Sequence, residues 1–246
     1  MSWSFLATSL LAFFFLDAIV SVIVVHGDVV KEELTSVSNV TRAYIGPEAV
    51  NVLVACVVVS RLGWWNLVLH ERLRAPRWVW IVPASFVVAS VALVDYGRLR
   101  VAGATVALAL LLGTFLIAAG EELMFRGAVL QAMRDRYSER TAALVTALLF
   151  GGSHLVAGPL NMVMSALFGY LLYWCRRVSG GLVVPIVVHA LWDFCVFSGW
   201  TTPDRSKAPA APLLLSLLTF ALLILFAVRR KSLRPSVAGG TVPGRE

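Results

Sequence analysis

Six ionisable side chains interrupt stretches of this chain that otherwise read as long apolar runs: Glu121, Glu122, Arg126, His154, His189 and Asp193. Carboxylates and imidazoles are the groups that move protons in general acid–base chemistry, and an arginine beside them can hold one carboxylate ionised. Two spacings pair them on single helices. Glu122 and Arg126 stand at i and i+4, as do His189 and Asp193, so each pair shares one helix face. A charged residue costs roughly 3 kcal/mol near the bilayer centre. Glu121, Glu122, Arg126 and Asp193 together cost on the order of 10 kcal/mol unless they pair or face a wet cavity. That cost marks them as the place to look for function.

The elements that must position these residues are membrane helices. The chain has 246 residues, of which 59% are hydrophobic and 14% charged, with a mean hydropathy of +0.83; a soluble domain carries about 25% charged residues. The net charge of +7 comes from short basic clusters between apolar runs, which is the pattern of membrane topology and argues against a nucleic-acid partner. Cys56, Cys175 and Cys195 lie in or beside apolar runs without CxxC spacing and read as reduced, small apolar residues.

Apolar stretches of spanning length predict an all-α polytopic bundle of about eight spans, organised as one integral membrane domain over residues 1–246. The spans are Trp3–Val25, Pro47–Leu69, Trp78–Val94, Val101–Met133, Thr141–Leu155, Pro159–Cys175, Leu182–Gly199 and Pro212–Val228. The fourth exceeds one crossing, and its amphipathic half from Glu121 onward is expected to run out as a surface turn. Val29–Arg42 reads as a polar external loop. Pro185 removes a backbone donor four residues before His189 and invites a kink. Gly151 and Gly152 permit close backbone approach or a helix break before His154.

Alternate connections carry thirteen of the Lys and Arg residues on one side and six on the other, which places both termini in the cytoplasm. Trp64, Trp65, Trp78, Trp80, Trp174 and Trp200 fit an interfacial aromatic belt. Asp17 and Arg61 are charges within spans but outside the six, expected to snorkel or pair helices. Short loops and a basic tail point to a bacterial plasma membrane.

Topology then fixes depth. Glu121 precedes the basic marker Arg134 by thirteen residues, His154 follows Arg140 by fourteen, and His189 follows Arg177 by twelve. At a rise of 1.5 Å per residue all three sit roughly 20 Å from one surface. A shared site requires that agreement.

These residues carry a resemblance. Glu121-Glu122-Leu-Met-Phe-Arg126 resembles the EExxxR motif of the CAAX-processing and bacteriocin-processing (CPBP, or Abi) intramembrane proteases, which include the type II CAAX prenyl endopeptidases. Phe150-Gly-Gly-Ser-His154 is similar to that family's FxxxH motif, and His189-Ala-Leu-Trp-Asp193 to its HxxxN or HxxxD motif. The resemblance covers Leu112–Gly199 and implies a catalytic core there, within an eight-span bundle. It implies a membrane-associated protein or peptide substrate and a water activated by Glu121. His154 would assist, and His189 with position 193 would stabilise the oxyanion. Asp193 departs from the Asn of the prenyl endopeptidases: an amide donates directly, an acid only when protonated.

The residues themselves leave several readings open. Glu121, His154 and His189 could supply a His2Glu zinc site with an open fourth position, and the resemblance does not settle whether a metal is required. Arg126 is expected to tie Glu122 structurally and leave Glu121 as the base. A Ser153 nucleophile is disfavoured because neighbours on a helix diverge from one another. A non-catalytic scaffold or immunity protein is the alternative function. A transporter ranks below it, since the sequence has no internal repeat.

Overall fold

A computed structural model describes residues 4, 7–15, 34–202, 210–233 and 236–237. Asp17 and most of the first proposed span lie outside the described residues, apart from a helical stretch, α1, over residues 7–15. The fold is all-helical. In chain order there follow α2 (Val37–Leu62), the short α3 (Trp65–Leu69), α4 (Ile81–Leu93), α5 (Tyr96–Ala102), α6 (Ala104–Arg134), α7 (Glu139–Ser153), α8 (Pro159–Ser179), α9 (Val183–Ser198) and α10 (Ala211–Val228). A two-residue antiparallel pairing joins β1 (Leu73–Arg74) to β2 (Ser236–Val237).

Among the described residues three helices, α2, α6 and α10, are long and apolar enough to cross a membrane. The turn Arg77–Trp80 with α4, together with α5, makes a fourth if the pair, bent by 56°, counts as one span. Each remaining predicted span from the second onward has a helix at its place. α6 lies at the centre, packed on α2 and α9, while α8 packs on α7 and touches α9, and α10 closes against α4. Phe86, Phe125, Phe150 and Phe168 form the aromatic heart of the core.

Three expectations need correction. Residues 37–42, read as part of a polar loop, are the first turns of α2, with Ser36 capping the helix by accepting a hydrogen bond from the Asn39 amide at 3.1 Å. The stretch from Glu122 to Val129 is no surface turn: all eight residues are buried. Pro185 produces no kink, because α9 starts at Val183 and the first turn of a helix has no use for that amide donor. Trp174 of the expected belt packs against Phe226, with ring centroids 5.2 Å apart.

Three of the basic residues used as topology markers, Arg134, Arg176 and Arg177, are also not free surface charges. Glu71 accepts from Arg134 at 2.9 Å and from Arg176 at 3.1 Å. Glu139 accepts from Arg134 at 2.6 Å, from Arg177 at 3.0 Å and from the Tyr173 hydroxyl at 2.8 Å. Arg176 and Arg177 are buried, and they also donate to the carbonyls of Leu67 at 2.8 Å and Leu73 at 2.7 Å. This network binds the ends of α6, α7 and α8 to the segment after α3. Arg134 and Arg177 meet on one carboxylate, and Arg140 adjoins it in sequence. The three markers therefore do share a layer, which is why the depth comparison works.

Burial alone would push the Glu139 carboxyl up, but hydrogen bonds from Arg134 and Tyr173 and the charges of Arg134 and Arg177 hold it below its usual range. Its contribution to stability is therefore present above the ordinary carboxylate range and is lost as pH falls through the lowered value.

Removing Glu71 takes from the fully buried Arg176 its carboxylate partner and from Arg134 one of two. Breaking a buried pair costs about 3–5 kcal/mol, so Glu71→Ala is expected to lower the melting temperature in detergent by roughly 10 °C. A melt within a degree of the parent would contradict the role given to this network.

Candidate active site

The six residues come together at the centre of the bundle. Glu121 ends the regular part of α6, and a π-helical segment from Glu122 to Val129 begins immediately after it. π-turns inside α-helices cluster at functional sites. Here the widened turn carries Glu122 and Arg126, whose guanidinium donates to the Glu122 carboxylate at 2.7 Å. Both are essentially without solvent contact, at 0% and 1% exposure.

His189 of α9 lies between the two glutamates. Its Nδ1 is 3.0 Å from Glu122 Oε1, and its Nε2 is 3.6 Å from Glu121 Oε2 and 3.5 Å from Asp193 Oδ2. An ionised carboxylate can only accept, so the contact with Glu122 places a proton on Nδ1 and turns Nε2 toward Glu121 and Asp193. The ring is fixed on both flanks by Phe150 and Phe168, whose centroids lie 5.7 and 5.6 Å away at near-perpendicular angles.

His154 follows the last residue of α7, with φ −94 and ψ 7, outside helical geometry. Its Nδ1 lies 2.9 Å from the Phe150 carbonyl, which can only accept, so Nε2 is left as the nitrogen without a proton. Because the helix has ended, Ser153 and His154 do not diverge as expected: Ser153 Oγ is 3.0 Å from Nδ1. That serine nevertheless donates to the Phe150 carbonyl at 2.6 Å and does not line the cavity.

Phe150 is the hub of the motifs. Its ring touches His154 and His189, packs edge-on against Phe125 at 5.3 Å, and carries the Arg126 guanidinium over its face at 4.1 Å. Two glycines make room for this stack. A Cβ on Gly169 would sit 2.7 Å from both Arg126 and Phe150, and one on Gly151 would sit 2.6 Å from Ala166 and the Met162 carbonyl. Gly151 thus provides the close approach expected of it. Gly152, by contrast, faces open space.

A cavity of about 300 Å³ opens beside these groups. Glu121, His154, His189 and Asp193 line it, while Glu122 and Arg126 lie behind its wall. Glu121 Oε2 is buried and makes no hydrogen bond. The cavity also takes in residues the sequence did not flag: Tyr44 and Glu48 from α2, and Asn161 and Ser165 from α8. Each pair stands at i and i+4 on an apolar helix, a spacing that could have revealed them. Tyr44 belongs to a second π-helical segment, Thr41–Ile45, and stacks on Phe197 at 5.0 Å.

Among the described residues no three His, Cys, Asp or Glu side chains are grouped to hold a metal ion. His154 turns Nδ1 to a backbone carbonyl and His189 turns Nδ1 to Glu122, which leaves Nε2 of each ring as the nitrogen a metal would take. Glu121, His154 and His189 would be the residues to hold one, and no chemical step below is routed through a metal.

Residues 103–195 match the family model described as type II CAAX prenyl endopeptidase Rce1-like. That match bears out the resemblance carried by the three motifs, all of which lie inside it, and it extends back to the start of α6. No curated protein and no solved structure matches the chain. Tyr44 and Glu48 come from outside the matched region, so α2 adds to the cavity wall something the family model does not cover.

Gly151→Ala would force α7 from the backbone of α8. Overpacking of this kind costs about 1–3 kcal/mol, and displacement of Phe150 and His154 is expected to reduce any turnover further than the melting temperature alone would explain. Gly152→Ala, facing open space, should leave both unchanged.

Proposed function

We propose that this protein is an intramembrane endopeptidase that hydrolyses a peptide bond in a membrane-anchored or membrane-associated substrate by means of a water activated by Glu121. The observation that carries this reading is the division between two adjacent carboxylates. Glu122 is held through Oε1 by Arg126 and His189 and lies behind the cavity wall, whereas Glu121 lines the cavity with no hydrogen bond from either; each keeps an Oε2 without a partner. A carboxylate in that condition suits a general base.

In this reading a water enters the cavity and gives a proton to Glu121 as its oxygen attacks the carbonyl carbon of the scissile bond. The tetrahedral intermediate carries the charge on the former carbonyl oxygen. His154 orients the water through its free Nε2, and His189 supplies the nearest positioned ring. Asp193, as a carboxylate 3.5 Å from His189 Nε2, orients that ring when Nε2 also carries a proton, and is not itself the oxyanion donor unless protonated. Collapse of the intermediate expels the amine, which takes the proton back from Glu121. The Glu122–Arg126 pair keeps His189 in place and takes no proton.

The wider assignment follows the same reading. The catalytic core is Leu112–Gly199 within a single membrane domain, in a bundle of about eight crossings with both termini cytoplasmic. The helices found at the predicted positions and the uneven distribution of basic residues support it. Short connections and a basic tail support a bacterial plasma membrane. The family match favours a CAAX-type substrate, a membrane-tethered C-terminus.

The decisive comparison is of membranes from cells carrying the parent or Glu121→Gln. General-base removal is expected to slow cleavage by about 10²–10⁴-fold, leaving uncut precursors visible by proteomics while the variant melts like the parent. If Glu121→Gln leaves both the proteome and the phenotype unchanged, the scaffold reading takes precedence.

A further inference from the structure

A second cavity, of about 550 Å³, lies at the basic end of the bundle, away from the catalytic groups. Its wall is built from α7, α8 and the residues following α10: Glu139, Arg140, Tyr170, Tyr173, Trp174, Arg177, Arg230 and Lys231 contribute. The charge on this wall is unbalanced. Glu139 is its one acid, and it is already engaged by Arg134 and Arg177. Arg140, Arg230 and Lys231 are exposed and have no hydrogen bond or ion pair among the described residues. Three uncompensated cations thus converge from two separate parts of the chain on one concave space.

The remainder of the wall is aromatic. Tyr170 and Trp174 meet edge-to-face at 6.2 Å, and Tyr173 lies against Trp174 at 5.3 Å. Aromatic rings with one polar end suit the boundary between headgroups and acyl chains. A stripe of exposed apolar residues on α10, Leu217, Phe220, Ile224 and Val228, leads along one helix face to Arg230 and Lys231. An acyl chain lying on that stripe would bring its headgroup to the cations.

We propose that this cavity binds the phosphate of an anionic phospholipid headgroup, with the acyl chains lying along α10. Arg140, Arg230 and Lys231 supply the charge, and Tyr170 and Trp174 supply the interfacial wall. The volume falls in the range of small-molecule sites. A lipid in this site would add to the packing of Trp174 on Phe226 a further tie between the end of α10 and helices α7 and α8.

The test is native mass spectrometry of the full chain offered equal amounts of phosphatidylglycerol and phosphatidylcholine. The parent should retain phosphatidylglycerol selectively. Each cation near a lipid surface contributes about fivefold, so the triple variant Arg140→Gln, Arg230→Gln, Lys231→Gln should lose at least tenfold of that preference. Lys231→Gln alone, an exposed change that leaves the core untouched, should lose part of it. Arg100→Gln, an exposed arginine on α5, should lose none. Undiminished preference in both the triple and the single variant overturns the proposal, and so does an equal loss in Arg100→Gln. Excess inorganic phosphate should fail to displace the lipid; displacement would assign the site to a soluble phosphate and overturn the lipid reading. None of these outcomes depends on the proteolytic assignment.

Discussion

An ionised carboxylate without solvent contact is the constraint on which this structure depends. Glu122 sits where water cannot reach, and the cost of stripping a carboxylate of its hydration is several kcal/mol. Arg126 at 2.7 Å and His189 at 3.0 Å offset it. Because Arg126 lies on the same helix and His189 on another, that one carboxylate fixes the register of α9 against α6. The position of the His189 ring between Glu121 and Asp193 follows from it. The adjacent Glu121 is left facing the cavity because the nearer donors are taken.

The arrangement also requires close helices. Gly151 and Gly169 let α7 and α8 approach until Phe150 can lie between Arg126 and the two imidazoles. A second polar cluster closes the basic end of the bundle around Glu71 and Glu139, and it is joined to the first through Arg176, which donates to the backbone carbonyl of Arg126. Two buried ionic groups connected through a single residue give α6 a defined position along its length. A hydrophobic contact, being non-directional, could not set register in this way.

Much of this was legible in the sequence because membrane helices announce themselves by length and because intramembrane charges are too costly to be incidental. Glu121, His154 and His189 reach one cavity, as their spacing from the basic connections required, and Asp193 joins them from one turn beyond His189. What was not legible depends on departures from regular geometry or on long-range partners. Ser153 and His154 meet because α7 ends between them, and a helical-wheel argument cannot anticipate that. The π-turns that carry Tyr44 and Glu122 have no residue signature. Arg134, Arg176 and Arg177 look like surface markers until Glu71, distant in sequence from all three, is brought beside Arg134 and Arg176.

The central claim is that Glu122 and Arg126 act as one buried unit. A double-mutant cycle with Glu122→Gln and Arg126→Met, read as thermal stability in a fixed lipid or detergent, measures it directly. Each single change should be strongly destabilising, and the double variant should recover part of the loss, giving a coupling of at least about 1 kcal/mol. Additive losses would mean that the two side chains do not depend on each other, and the account of how the site is held would be wrong.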